Sequence, residues 1–191
     1  HGNHDMNDSA APKHDETTAT STADNRSKFL TFRLGEEEYG LGILHVREII
    51  GVIDITPLPQ TPEFIRGVIN LRGKIIPVMD LRVRFGLEPI PYGEETCIIV
   101  VEIEDENETH PFQMGVVVDT VSEVLDIATD AIGPAPKFGC RLDTDFILGM
   151  GKSRDRVITL LEVEAVLSRQ ELGGLGLAGG GEDLGSLARA A

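Results

Sequence analysis

A reaction needs a nucleophile, an acid or base, a metal or a cofactor loop, so the residues able to supply these are placed first. Outside the N-terminal stretch the only histidines are His45 and His110, each isolated in sequence. The two cysteines, Cys97 and Cys140, lie far apart and form no CxxC pattern. Scattered thiols of this kind fit a reducing compartment, although their spacing leaves a disulfide open. Cys97 sits inside a continuous apolar run and reads as a buried, inert thiol. No HExxH, GxSxG or phosphate-loop pattern occurs. The run Gly173-Gly-Leu-Gly176 lacks a preceding strand and carries no weight as a nucleotide site. His1, His4 and His14 lie in a polar stretch and read as tag and tail, not as a metal site. The expectation is a binding protein with no catalytic residue, metal or cofactor.

Charge carries more information. The net charge is −15, and most of it falls between residues 28 and 170. Such a surface repels nucleic acid and anionic lipid, whose binding rests on Lys and Arg neutralising phosphates. Within it the sign reverses locally. Between residues 63 and 84, Arg66, Arg72, Lys74, Arg82 and Arg84 face only Glu63 and Asp80. Two readings stand side by side: a solvated face balanced by nearby carboxylates, or a polar rim that meets an acidic partner. Glu48, set among Val46, Ile49 and Ile50, poses the same choice. It pairs with Arg72 inside the molecule, or it makes an ion pair with a partner.

The elements that must position these groups are mainly strands. There is no Trp, and the apolar residues are chiefly Ile, Val and Leu, which favour pleated structure. Phe29–Leu34 alternates at period two, and Tyr39–Ile43 returns as a second strand. His45–Ile50 is short and either helical or extended. Gly67–Leu71 and Ile75–Met79 form a hairpin around Arg72-Gly73-Lys74, with Pro77 pointing to an edge or a bulge. Asp80 is the expected N-cap of a short helix, Leu81–Phe85, closed by Gly86. Thr96–Glu104, Phe112–Asp119 and Arg156–Glu162 complete the strands, with a short helix over Val163–Gln170. Residues 1–27 read as a disordered tail, with 1–5 as a tag remnant before Met6. Residues 171–191 read as a flexible Gly-rich tail. The first 25 residues hold no apolar run that would serve as a signal peptide, and no stretch is long enough to cross a bilayer.

The two halves repeat each other. Phe64-Ile-Arg-Gly67 matches Phe146-Ile-Leu-Gly149 at an offset of 82 residues, and without a gap Arg72 falls on Arg154, Asp80 on Glu162 and Leu81 on Val163. Gly42-Ile43 matches Gly115-Val116, Val46-Arg-Glu48-Ile49 matches Val121-Ser-Glu123-Val124, and Pro57-Leu-Pro59 matches Pro134-Ala-Pro136. Two copies of one small β module, each too small for a large core, are expected to pack around a shared apolar seam.

Taken in order, Glu37-Glu-Tyr-Gly-Leu-Gly-Ile43, Val46-Arg-Glu-Ile49, Phe64-Ile-Arg-Gly-Val68, Asn70-Leu-Arg-Gly73, Ile76-Pro-Val-Met-Asp-Leu-Arg82, Gly115-Val-Val-Val-Asp119 and Val121-Ser-Glu-Val-Leu125 resemble the CheW family of chemotaxis coupling proteins. The resemblance covers residues 28–170. It implies a mainly β fold of two intertwined five-stranded SH3-like barrels sharing an apolar seam, with short helices and no catalytic activity. The implied partners are the cytoplasmic tip of chemoreceptors and the regulatory domain of the histidine kinase CheA. A stand-alone coupler is expected over a kinase or a CheV-type protein, because the chain is too short for their further domains. Ile43, Val46, Glu48 and Arg72 are carried over as receptor-binding, and Val121, Val124 and Gly149 as kinase-binding. Gly67 is carried over as a sensitive glycine of fold or interface. The free protein is expected to be monomeric and cytoplasmic, recruited to receptor arrays at the inner face of the membrane. The alternatives are a same-fold adaptor of a non-motility pathway and a small-ligand sensor with its site in the seam.

Overall fold

Among the described residues the first repeat builds five strands and the second six, and each gives its first hairpin to the other. In the first repeat the strands are β1 (Arg26–Leu34), β2 (Glu37–Gly42), β3 (Val46–Gly51), β4 (Ile65–Leu71) and β5 (Lys74–Asp80), followed by helix α1 (Leu81–Arg84). The second repeat contributes β6 (Cys97–Ile103), β7 (Phe112–Val118), β8 (Thr120–Ala128), the two-residue β9 (Ile132–Gly133), β10 (Ile147–Ser153), β11 (Arg156–Leu161) and α2 (Val163–Val166). The computed structural model describes residues 26–104, 109–135 and 144–167. The two tails, most of the acidic loop, Pro136, Cys140 and residues 168–170 of the expected last helix lie outside the described residues.

One sheet runs β8-β1-β2-β11-β10-β9 and the other β3-β6-β7-β5-β4. The hairpin β1–β2 therefore belongs to the sheet of the second repeat, and β6–β7 to that of the first. The exchange is symmetric: β2 joins β11 in parallel as β7 joins β5, and β8 joins β1 antiparallel as β3 joins β6. This is the intertwining the resemblance implied. The bulge between Ile65 and Gly67 is repeated between Ile147 and Gly149, and Arg72 and Arg154 both take positive φ, 53° and 57°. Asp80 N–H donates to the Phe64 carbonyl at 2.8 Å as Glu162 N–H does to that of Phe146.

Four sequence expectations are corrected. The match of Gly42 to Gly115 is displaced by two residues: Gly40 lies opposite Leu160 and Gly115 opposite Val78, so Gly40 and Gly115 are the equivalent pair. Packing explains it. A Cβ on Gly40 would sit 2.9 Å from Leu160 Cδ2, and one on Gly115 2.8 Å from Ile98 Cγ2. Next, of the edge or bulge that Pro77 suggested, the edge is excluded, since β5 is interior, while the β4–β5 ladder does bulge between Ile65 and Gly67, opposite Met79 and Val78. Pro77 is tolerated there because the ladder with β7 begins only at Val78. Finally, β1 does not alternate in burial. Phe29 through Phe32 are all buried, because the strand lies between β8 and β2 with apolar layers on both faces. It also starts at Arg26, inside the stretch expected to be tail.

Three apolar clusters result. Ile69, Ile76, Val78, Ile98, Val100 and Val117 fill the first barrel. The equivalent Phe29, Ile127, Ile158 and Leu160 fill the second. The largest cluster draws on both sheets, with Phe32, Tyr39 and Leu161 meeting Ile99, Met114 and Val116, and forms the predicted shared seam. At its end Arg84 lies between the rings of Phe64 and Phe146, 4.6 and 4.8 Å from their centroids, and its Nε donates to the Val166 carbonyl. Phe64 and Phe146 are repeat equivalents, so one cation joins the two halves across their symmetry.

Asp80, 1% exposed, is the buried polar hub of the first repeat. Oδ1 accepts from the N–H groups of Arg82 and Val83, as the N-cap reading expects, and Oδ2 accepts from the Tyr92 hydroxyl at 2.9 Å. Asp80→Ala strands these donors and is expected to cost about 3 kcal/mol, read from urea denaturation. Asp80→Asn keeps an acceptor for the helix and is expected to cost clearly less.

Candidate functional site

The β4–β5 hairpin turns through Arg72 (φ 53°) and Gly73 (φ 85°), the two positive values a two-residue type I′ turn requires. Gly73 N–H donates to Asn70 Oδ1 at 2.8 Å and fixes the turn. The turn projects the Arg72 guanidinium to Glu48 on β3, where it makes a two-pronged ion pair: NH1 donates to Oε2 at 3.2 Å and NH2 to Oε1. Hydrogen bonding from Arg72 holds the Glu48 carboxyl below its usual range, against desolvation, with Coulomb attraction to Arg72 adding. The Arg72 side chain is 70% exposed. An ion pair this open contributes little to folding, so its charges are free to be exchanged for those of a partner.

Next to the pair, Ile43 and Val46 are half-buried and pack against the shared seam. The structure thus brings Ile43, Val46 and Glu48 onto one short segment, with Arg72 reaching it from the hairpin. Leu44, in the 3-10 turn Ile43–His45, is 88% exposed and is the most open of the large apolar side chains among the described residues. Sequence reading passed over it because nothing in the pattern separates an outward leucine from a core one. Ile49, 43% exposed, is one of the apolar neighbours of Glu48 that the sequence already set beside the charge.

The second repeat carries a counterpart. Glu123, equivalent to Glu48, meets Arg156 NH2 at 2.6 Å, and Arg156 also reaches Glu38. Val124 is 50% exposed beside Glu123, and Val157 is exposed beside Arg156. Val121 is half-buried against the seam. Gly149 is buried, and a Cβ there would lie 2.8 Å from the Gly133 carbonyl, so it serves the backbone contact between β9 and β10. Gly67 has the same duty in stronger form: φ is 139°, and a Cβ would come within 2.0 Å of the Thr56 carbonyl oxygen.

The basic segment is answered from inside the molecule. Arg66 lies 3.5 Å from Asp80, Arg72 pairs with Glu48, Arg82 with Asp119 at 2.6 Å, and Arg84 stacks on two rings. The balanced-face reading accounts for Arg66, Arg82 and Arg84, while Arg72 and Lys74 at the hairpin turn stand exposed.

Close to the site, the carboxyl groups of Glu162 and Glu164 interact. Hydrogen bonding to Glu164, burial and like-charge repulsion push the Glu162 carboxyl up to about 7, while Glu164 is held low by its bond to Glu162, with His45 a minor contributor. A carboxyl raised in the folded state stabilises below its unfolded value near 4.5 and loses that contribution as pH rises through about 7. Glu164 acts in the opposite sense but keeps its charge across that window. Thermal melts from about pH 5 to pH 8 are therefore expected to fall more steeply for the native chain than for Glu162→Gln.

Among the described residues no His, Cys, Asp and Glu group is arranged to hold a metal, and no helix is long and apolar enough to cross a membrane. Fold and site together define a strand-exchanged double-barrel binding module, whose open feature is an ion pair flanked by apolar side chains. Comparison with known proteins gives it a family. The CheW-like domain model matches residues 28–171. The chain is 42% identical over 145 residues to the chemotaxis protein CheW of Klebsiella aerogenes, covering 76% of this chain and 84% of that one. It is 34% identical to that of Helicobacter pylori, covering 74% and 82%. The crystal structure of the scaffolding protein TtCheW from Thermoanaerobacter tengcongensis superposes with a TM-score of 0.65 at 41% identity, covering 73% of this chain and 86% of that one. The chain belongs to the CheW family of chemotaxis proteins.

Proposed function

We propose that this protein is a non-enzymatic adaptor that couples the cytoplasmic tips of chemoreceptors to the regulatory domain of the histidine kinase CheA, so that receptor state controls kinase activity. The observation that carries the reading is the solvent-open Glu48–Arg72 pair, held beside Ile43, Val46 and exposed Leu44 in a chain of this family. Glu48 and Arg72 orient the receptor tip, and the apolar residues supply contact area. The second barrel, through Val121 and Val124, takes the kinase, while Gly149 shapes that barrel from within. Binding both partners at once raises the effective concentration of each for the other. A receptor state that binds the adaptor–kinase unit differently then shifts kinase activity by that difference in free energy. The adaptor works in the cytoplasm, gathered into receptor arrays at the inner face of the membrane.

The test is a pull-down with a receptor signalling-tip fragment and a CheA regulatory domain, singly and together. Capture of each alone and of both in one complex is expected. Binding to neither would leave a β-barrel adaptor of a different pathway.

A further inference from the structure

A second concave site lies on the first barrel, away from the ion pair. Arg66 is the second residue of β4 and Arg72 follows its end, so extended backbone separates them by about 20 Å. The pocket has a volume of about 350 Å³ and is lined by Ile55, Arg66, Ile90, Pro91 and Tyr92. It is a depression largely open to solvent, in which three apolar side chains sit beside a cation and a hydroxyl, so its lining is as polar as it is apolar.

The polar groups are unequally satisfied. The Tyr92 hydroxyl donates to Asp80 at 2.9 Å, and burial and the adjacent Asp80 charge push it up to about 12, so it stays neutral. Asp80 lies behind the wall, 1% exposed, with both oxygens accepting hydrogen bonds. Arg66 faces the Tyr92 hydroxyl as well as Asp80 but is incompletely satisfied. Its contact to Asp80 is long, at 3.5 Å, and its buried Nε–H has no acceptor. An unpaired buried donor on a cation is costly, and a new anionic acceptor relieves part of that cost by letting the guanidinium reseat. The same side chain is 34% exposed, so part of the guanidinium arm is reachable from the pocket.

We propose that this pocket binds a small organic carboxylate, its acid group on the Arg66 guanidinium and its apolar body against Ile55, Ile90, Pro91 and Tyr92. Ile55, Ile90 and Pro91 give an apolar body contact that a bare inorganic anion would not make. Arg66 demands an acceptor, which excludes a plain hydrocarbon.

The experiment is a titration of the isotope-labelled full chain with 4-phenylbutyrate, followed by amide chemical shifts, with 4-phenylbutanol and acetate as controls. Saturable shifts confined to Ile55, Arg66, Ile90 and Tyr92 are expected with phenylbutyrate. Binding at least about tenfold weaker is expected for the alcohol and for acetate, since a charge-assisted hydrogen bond and the apolar contact are each worth that much. Arg66→Gln is expected to lower affinity by a similar factor. If that variant loses its dispersed spectrum, Ile90→Glu takes its place, because an exposed position accepts the change and the new charge repels the acid. Absence of saturable shifts, equal affinity for the alcohol, or unaltered binding by a folded variant overturns the assignment. None of these outcomes bears on the receptor or kinase pull-down.

Discussion

Gly67→Ala is expected to leave little folded protein at physiological temperature. Two independent costs meet at that residue. Its φ of 139° lies where a side chain is strained, and the added methyl would sit 2.0 Å from the Thr56 carbonyl oxygen and 2.9 Å from Pro57 Cα. All of these neighbours are backbone, so no side chain can turn aside. Relief requires the Thr56–Val68 bridge to open, with its N–H···O bonds of 2.8 and 2.9 Å. Strain and two lost hydrogen bonds together cost about 4 kcal/mol or more, a large share of the stability of a domain this size. Gly73→Ala provides the control. Its φ is also positive, at 85°, but its surroundings are empty, so a loss of only about 1 kcal/mol is expected. Circular dichroism melts of both variants check the contrast. A normally folded Gly67→Ala would mean that the Thr56 segment yields freely, and any binding defect there would then belong to an interface.

Arg72→Glu is expected to do the reverse, removing receptor binding while leaving the melting temperature nearly unchanged. The substitution puts two carboxylates side by side where a two-pronged ion pair stood. In the free protein both are open to water, and the repulsion is relieved by side-chain rotation. Against a receptor tip that uses either charge, the same change leaves an unmatched group at the interface. A drop in receptor affinity of at least about tenfold is expected by calorimetry, with CheA binding kept. Adding Glu48→Arg restores the internal pair with its polarity reversed. Recovery of receptor binding in the double variant would show that the pair acts only within the molecule. Continued loss would show that the receptor reads the individual charges.

Much of this architecture was legible before any coordinates, for physical reasons that differ by element. Arg72-Gly73 announced a hairpin because few residue pairs accept two positive φ values in succession. Asp80 announced a helix start because a short carboxylate before an apolar run has one favourable use. The duplication was legible through Phe64-Ile-Arg-Gly67 and Phe146-Ile-Leu-Gly149, where bulge and turn geometry constrain residue type. The Gly40–Gly115 equivalence was missed because its constraint is tertiary, set by Leu160 and Ile98 from other strands. Burial of β1 on both faces was missed likewise, since alternation was read for a strand with one wet side. The site was half legible. Glu48 and Arg72 were named, but the outward turn of Leu44 and the neutralisation of Arg82 by Asp119 depend on which elements meet, which no local pattern records.

The exchange of hairpins between the repeats also bears on how the chain is made. When the ribosome has released residues as far as α1, strands β3 and β5 both await neighbours that have yet to be translated, since β6 and β7 come later. The nascent first half therefore carries open strand edges and an unfilled apolar interior, and folding waits on contacts distant in sequence. A pause in translation before residue 97 would lengthen the time for which those edges are exposed, so synthesis speed and chaperone access become part of the adaptor's yield.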